Sequence, residues 1–276
     1  MPKKKTIILI LTIFFLLVIM INLNSCVRHL IYYPQKLERG RDEYISSKFS
    51  NIEEISIPVE KEIKVRGWLI KNISGCAPLI IYFGGNAEEI SWNIEDFILK
   101  LGNTGYNIAL FNYRGYGKSD GFPTEKNLFN DAAAIYDYLT KRNDIETNNV
   151  LCFGRSLGSG VAVNLAYSRN ISGLILITPF DSIKNVAKNI FPAFIVSLIL
   201  RDNFDSAEYV KTIKCPIIII AAENDEVIPI ARTNALYSAI KSKRQFETIK
   251  NATHNTISHY DEYWRKITDF ILALKM

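Results

Sequence analysis

A Gly-x-Ser-x-Gly motif, Gly154-Arg155-Ser156-Leu157-Gly158, constrains the fold of this chain more than any other feature of the sequence. It follows a strand-like apolar run at 149–153 and precedes small residues at 159–163 that are typical of the start of a helix. A serine on such a sharp strand-to-helix turn projects its hydroxyl above the edge of a sheet, and the flanking glycines let strand and helix pack closely. The motif therefore predicts Ser156 as a nucleophile.

The rest of the chain predicts a mostly parallel sheet with helices on both faces. Residues 54–59 and 63–70 alternate polar and apolar positions, as half-exposed antiparallel strands do. Short apolar runs then alternate with helical patterns, which indicates buried parallel strands. The apolar runs lie at 78–83, 107–113, 150–153, 174–178, 216–222 and 246–249, and the helical segments near 88–101, 125–140, 156–167, 229–240 and 261–274. With a serine turn after a central strand, this order predicts the α/β-hydrolase fold.

Composition narrows the function further. The chain has 276 residues and a hydrophobic fraction of 48%, enough for one large buried core. Lys3, Lys4 and Lys5 carry three of the five net positive charges, and no basic cluster is interleaved with aromatic residues, so we expect no nucleic-acid partner. The four cysteines show no CxxC pair or metal-ligand spacing. We therefore expect no disulfide, no metal and no cofactor.

The N-terminus predicts membrane attachment. Basic residues at 1–5 precede an uncharged apolar run at 6–23, which at 1.5 Å per residue is just long enough to cross a bilayer as a helix. Residues 1–26 are therefore predicted to form an anchor or signal segment, and 27–276 the catalytic domain, located outside the cytoplasm because the lysines stay inside. The favoured prediction is an uncleaved signal-anchor. Leu23-Asn24-Ser25-Cys26 also resembles a lipobox, so a lipoprotein acylated at Cys26 is the alternative, and a released secreted protein is the third.

The nucleophile needs a base and an acid, which follow it in this fold in the order Ser, Asp or Glu, His. His254 lies in a loop between the last predicted strand and the last helix, and we favour it over His259, which lies at the start of that helix, and over His29. Asp225 follows the penultimate strand and is the favoured acid. Glu223 and Glu226 are the alternatives.

Two backbone N–H groups are predicted to form the oxyanion hole. The first belongs to Leu157, the residue after the nucleophile. The second should come from the loop Gly84-Gly85-Asn86-Ala87, since two glycines allow the close backbone approach that such a hole requires. Asn86 is the favoured donor and Ala87 the second choice.

These motifs resemble one group of enzymes across most of residues 30–270. The matching segments are 30–34, 82–87, 112–121, 154–158, 178–182, 224–229 and 254–255. Together they resemble the membrane-anchored α/β-hydrolases of the Bem-like branch, which are similar to the α/β-hydrolase domain-containing proteins 13 and 17 and to serine-aminopeptidase-like hydrolases. The resemblance implies Ser156, Asp225 and His254 as the triad. The group commonly has histidine in place of Gly84 and glycine in place of Asn251.

The predicted substrate is an acyl ester or thioester. An insertion at about 182–206, with an apolar stretch at 190–200, lies where such hydrolases place a small cap, and it could line an acyl pocket, contact the bilayer or simply pack on the core. The expected partners are therefore a small or lipid-like acyl molecule and the membrane. Two alternatives stay open: a serine peptidase using the same triad, and a non-catalytic binding module on this scaffold.

Overall fold

A computed structural model describes residues 31–72 and 75–275. Within these residues eight strands form one sheet, in the spatial order β1-β2-β4-β3-β5-β6-β7-β8. The strands are β1 (Ile52–Glu60), β2 (Ile63–Ile70), β3 (Ala77–Phe83), β4 (Asn107–Phe111), β5 (Ile145–Arg155), β6 (Gly173–Ile177), β7 (Ile217–Asn224) and β8 (Arg244–Thr253). The α-helices are α1 (Arg41–Lys48), α2 (Ile94–Leu101), α3 (Glu125–Leu139), α4 (Leu157–Ser168), α5 (Ile183–Ala187), α6 (Ala193–Ile199), α7 (Ser206–Tyr209), α8 (Ile230–Ala239) and α9 (Asp261–Ala273).

The sheet is antiparallel at one edge and parallel elsewhere, as predicted. Strand β2 pairs antiparallel with both β1 and β4. All other neighbouring strands pair in parallel. The carboxyl ends of β3, β5, β6, β7 and β8 therefore meet at one edge of the sheet, which is where ligands bind in open α/β sheets.

Helices cover both faces of the sheet because its central strands are apolar on both sides. On β3, Leu79 and Ile81 belong to a core cluster with α3 and α4, whereas Ile80 and Tyr82 belong to a second cluster with α2 and α9. The alternation follows from the two-residue period of a strand. This three-layer arrangement confirms the predicted fold class.

Most boundaries agree with the sequence to within a few residues, but three features differ. Strand β5 begins at Ile145, five residues before its apolar run, because a polar half precedes the buried half. The segment predicted as one helix near 88–101 is a 3₁₀ turn at Ile90–Asn93 followed by α2. Helix α1 was not predicted, since it buries only Ile45 and carries little periodic apolar signal.

The cap prediction corresponds to α5 and α6, which lie between β6 and β7. The predicted anchor at 1–26 lies outside the described residues. Among the residues that the structure describes, none of the helices combines the length and apolar character needed to cross a bilayer.

Candidate active site

Ser156 lies on a strained turn between β5 and α4. Its φ of 50° and ψ of −116° fall outside the regions that residues other than glycine ordinarily adopt. The turn is closed so tightly that a Cβ on Gly154 would lie 2.3 Å from the Gly158 carbonyl oxygen. The two motif glycines are therefore required by the close approach of strand and helix, as the sequence predicted.

The three residues predicted as a triad form one continuous chain of hydrogen-bonding distances. His254 Nε2 lies 3.0 Å from Ser156 Oγ, and His254 Nδ1 lies 2.9 Å from Asp225 Oδ2. The His254 and Asp225 side chains are only 6% and 5% exposed. A base within 2.6–3.2 Å of a hydroxyl, oriented by a buried carboxylate, is the geometry that serine nucleophiles require.

The structure also separates these residues from the alternatives. Glu223 Oε2 accepts from the Asn251 N–H at 2.8 Å, and Glu226 Oε2 accepts from the His254 backbone N–H at 3.1 Å. Among the described residues, the carboxylate that contacts the imidazole is that of Asp225. His259 is exposed at the end of a 3₁₀ turn. His29 lies outside the described residues.

The predicted oxyanion donors flank Ser156. A Cβ built on Gly85 would lie 3.7 Å from Ser156 Cβ, so the loop after β3 runs beside the nucleophile. The Ala87 N–H donates to Asn86 Oδ1 at 2.9 Å and is thereby occupied. Within the described part of the chain, the N–H groups of Asn86 and Leu157 have no acceptor. The geometry thus favours Asn86 over Ala87.

Sequence reasoning missed how the predicted oxyanion loop, which runs from Gly84 to Ala87 after β3, is held in place. Two tyrosine hydroxyls donate to it: Tyr116 to Asn86 Oδ1 at 2.8 Å, and Tyr113 to the Gly84 carbonyl at 2.7 Å. Burial raises the pKa of Tyr116 to about 12 and the pKa of Tyr113 well above 10, so both hydroxyls stay protonated donors at neutral pH. Tyrosines in a loop after a strand carry no sequence signal that would predict these bonds.

The segment that precedes α1 is also part of the site. The Tyr33 N–H donates to Asn86 Oδ1 at 2.8 Å, and the buried Tyr32 donates its hydroxyl to Asp202 Oδ2 at 2.7 Å, at the end of the cap insertion. Ile31 lines the cavity beside the nucleophile. Sequence analysis assigned this segment no part in the site, whereas its hydrogen bonds link the loop after β3 to the cap insertion.

An apolar cavity of about 550 Å³ opens onto Ser156. Helices α5 and α6 form much of its wall, and its other lining residues include Leu157 and Asn86, the predicted oxyanion donors. No Asp, Glu, Lys, Arg or His side chain lines the part of this cavity that the structure describes. The apolar lining side chains are Ile31, Leu157, Phe180, Ile183, Val186, Ala187, Ile190, Phe191, Ile195, Val196, Ile199, Leu200 and Ile228.

The chain departs from the Bem-like pattern at Asn251 and Gly84, and the structure shows a different environment at each position. Asn251 has a φ of 59°, a left-handed conformation that glycine adopts without strain and asparagine tolerates better than most residues. Gly84 stands where the group commonly has histidine, so this chain has no imidazole at that position. The Glu88 carboxylate occupies the adjacent space instead, 3.0 Å from where a Cβ on Gly84 would lie.

Fold and site geometry define an α/β-hydrolase with a serine turn, and comparison with known proteins agrees. The family described as serine aminopeptidase, S33, matches residues 77–202, and the family described as PhoPQ-activated pathogenicity-related protein matches residues 195–275. The Pyrococcus furiosus esterase Pf2001 superposes with a TM-score of 0.68 at 21% identity, covering 84% of this chain and 94% of that one.

Three curated proteins are similar over most of their length. Rv2307c of Mycobacterium tuberculosis is 29% identical over 83% of this chain and 80% of its own. Bem46 of Schizosaccharomyces pombe is 27% identical over 87% and 84%, and the α/β hydrolase domain-containing protein WAV2 of Arabidopsis thaliana is 26% identical over 79% and 78%. The chain therefore has the α/β-hydrolase fold and is similar in sequence to Bem46 and WAV2, which supports a hydrolase activity.

Proposed function

We propose that this protein is a serine hydrolase that cleaves acyl ester or thioester bonds through an acyl-enzyme formed on Ser156. The observation that carries the proposal is the hydrogen-bonded chain from Asp225 through His254 to Ser156, which ends at the wall of an apolar cavity. The esterase Pf2001 shares the fold, which is consistent with ester chemistry.

The proposed reaction has two halves. Ser156 Oγ attacks the acyl carbonyl while His254 Nε2 takes the hydroxyl proton, and the buried Asp225 stabilises the resulting imidazolium. The C–O or C–S bond then breaks, and His254 returns the proton to the leaving alcohol or thiol. In the second half His254 removes a proton from water, the hydroxide attacks the acyl-enzyme carbonyl, and the carboxylic acid leaves as Ser156 regains its proton.

The tetrahedral intermediate carries negative charge on the former carbonyl oxygen. The N–H groups of Leu157 and Asn86 are the proposed donors to that oxygen. Other hydrogen bonds already hold the Asn86 side chain and the turn at Ser156, which supports a preorganised pair of donors. One such donor is worth on the order of 10²–10³ in kcat.

The cavity supports an acyl substrate over a peptide. The family described as serine aminopeptidase, S33, makes peptide hydrolysis the second candidate function. An aminopeptidase holds the free amine of its substrate, for which a buried carboxylate is the natural partner. The described cavity wall contains no Asp or Glu, whereas its apolar side chains suit a hydrocarbon chain.

We further propose that the domain is attached to a membrane and faces outside the cytoplasm. The apolar run at 6–23 after three lysines supports this proposal, by signal-anchor or by acylation of Cys26. Fractionation of cells that express the full chain tests it, with protease protection of the catalytic domain as the readout. A catalytic domain that remains in the soluble cytoplasmic fraction would contradict it.

A fluorophosphonate probe tests the activated serine. We expect the full chain, purified in detergent, to be labelled, and Ser156→Ala and His254→Ala to lose the label. Ser168→Ala, at the other end of α4, is the matched control and should label as the wild type does. An unlabelled wild-type protein with a cooperative melting transition would favour the non-catalytic binding module.

A substrate series then separates the two enzymatic candidates. We expect turnover of p-nitrophenyl esters and acyl-CoA thioesters that depends on chain length and is absent in Ser156→Ala. Turnover of aminoacyl-p-nitroanilides without turnover of these acyl substrates would favour the peptidase.

A further inference from the structure

We propose that Glu88 and Arg155 are positioning residues that hold the oxyanion loop and the His254 loop in a fixed relation to Ser156. The inference rests on the proposed function, because it concerns the geometry of the same site. Neither residue contacts the reacting atoms as a nucleophile or base would. Their proposed role is exerted through the three chain segments that the pair joins.

Arg155 is the last residue of β5 and immediately precedes Ser156. Its Nη1 donates to Glu88 Oε2 at 2.8 Å, and its Nη2 donates to the backbone carbonyl oxygen of His254 at 3.0 Å. One planar guanidinium therefore ties the nucleophile turn to two other segments. A lysine has no planar fork and could not make both bonds with the same geometry.

The Glu88 carboxylate passes this constraint to the oxyanion loop. Its Oε2 also accepts from the Gly85 N–H at 2.7 Å, which fixes the peptide between Gly84 and Gly85, the neighbour of the peptide that carries the Asn86 N–H. Its Oε1 accepts from the Tyr82 hydroxyl at 2.5 Å and from Asn93 Nδ2 at 2.7 Å, which fix the carboxylate itself. The direction of the proposed Asn86 donor therefore depends on the position of Glu88.

The His254 backbone is held from both sides. Its N–H donates to Glu226 Oε2 at 3.1 Å, while its carbonyl accepts from Arg155. With both backbone groups fixed, the imidazole stays in line between Asp225 and the nucleophile. Without the Arg155 bond, only one of the two backbone anchors remains.

The pair is charged and mostly shielded from water. The side chains of Arg155 and Glu88 are 17% and 11% exposed. Burial is the largest single effect on Arg155 and opposes its charge, but the Glu88 carboxylate, together with Tyr82 and Tyr263, raises the pKa of the guanidinium above its usual value. Removing one partner would leave a poorly solvated charge, so the closed pair is strongly favoured.

The pair lies outside the acyl cavity. Neither residue lines that cavity, whereas both line a separate space of about 170 Å³ bordered by Asn93, Asn255 and Ser258. A positioning role therefore predicts a change in kcat with little change in KM for a short ester. A general loss of structure would instead lower the melting temperature without this selective loss of kcat in the folded fraction.

The first test compares Arg155→Met with Arg142→Met in the full chain. Arg142 is the matched control: its side chain is 19% exposed, it pairs with Glu53 and Asp144, and it lies just before the opposite end of β5. We expect Arg155→Met to lose on the order of 10²-fold in kcat, the cost of a misplacement near 1 Å, with KM within about threefold. Arg142→Met should keep both constants within about threefold of the wild type.

The second test is chemical rescue. Millimolar methylguanidinium should raise the kcat of Arg155→Ala about tenfold, because this cation can donate to Glu88 and to the His254 carbonyl together. Methylammonium at the same concentration, a cation without the planar fork, should restore much less. Equal rescue by the two cations would overturn the assigned geometry.

The remaining outcomes are also decisive. A folded Arg155→Met with wild-type kcat, or a loss equalled by Arg142→Met, would overturn the proposal. If Arg155→Met does not fold, Glu88→Gln tests the same link, with a loss of about tenfold or more in kcat expected and an unchanged kcat overturning it. Failure of the proposed function is distinguishable, because the folded wild type itself would then resist the fluorophosphonate.

Discussion

Replacing Gly158 with alanine tests how closely the nucleophile turn and the oxyanion loop are packed. A Cβ on this residue would lie 2.0 Å from the Phe83 carbonyl oxygen and 2.6 Å from that of Gly84. Ordinary contact begins near 3.4 Å, so the end of β3 must retreat from α4 by about 1.4 Å. Because both obstacles are backbone atoms, no side-chain rotation can relieve the contact.

The displaced atoms lead directly into the oxyanion loop, so the substitution affects both stability and catalysis. Overpacking of this kind costs about 1–3 kcal/mol, which for a domain of this size lowers Tm by about 2–12 °C. A displacement of more than 1 Å at a catalytic group costs on the order of 10²-fold. We therefore expect Gly158→Ala to fold with a lowered Tm and to lose on the order of 10²-fold in kcat.

Ester hydrolysis and thermal unfolding of the same preparations provide the readout. The matched control is Gly102→Ala, where an added Cβ meets nothing within 4 Å and the φ of −57° suits alanine, so kcat and Tm should be unchanged or Tm slightly raised. On α4 itself, Gly160→Ala meets the Phe204 side chain at 2.9 Å and should cost stability more than kcat. A Gly158→Ala enzyme with wild-type kcat and Tm would refute the close packing from which we argue.

Three further predictions concern the acid, the cap and the core. Asp225→Asn should lower kcat on the order of 10⁴-fold while Glu223→Gln stays near wild type, and equal losses in the two variants would contradict the assignment. Ile195→Trp, which narrows the cavity from the cap side, should reduce kcat/KM at least about tenfold for long acyl esters but leave acetyl esters nearly unaffected. An equal loss for long and short esters would contradict binding of the acyl chain in this cavity. Burial raises the pKa of Cys215 to about 11, so alkylation by iodoacetamide should rise about tenfold per pH unit between pH 8 and 10, and a rate at pH 8 equal to that of the exposed Cys76 would contradict its burial.

The fold was predictable because its signals are local. The polar and apolar alternation of β1 and β2, the continuous apolar runs of the central strands and the glycines around Ser156 are each readable within ten residues. Triad assignment needed only the chain order of the fold and the small number of histidines. The structure places His254 within hydrogen-bonding distance of both Ser156 and Asp225.

The supports of the site were not predictable, because they depend on long-range contacts. Tyr33 and Asn86 lie 53 residues apart, Arg155 and His254 lie 99 apart, and Tyr32 and Asp202 lie 170 apart. No periodicity or motif connects such pairs. Helix α1 escaped prediction for a different reason: it is a mainly polar surface helix with one buried residue.

The central claim is that Ser156 forms an acyl-enzyme. Its most direct test is rapid acid quenching of the full chain during turnover of a p-nitrophenyl acyl ester, followed by peptide mass spectrometry. Our account predicts the mass of the acyl group on the peptide that contains Ser156, and its loss in His254→Ala. Turnover without that adduct, or with the acyl group on another residue, would contradict it.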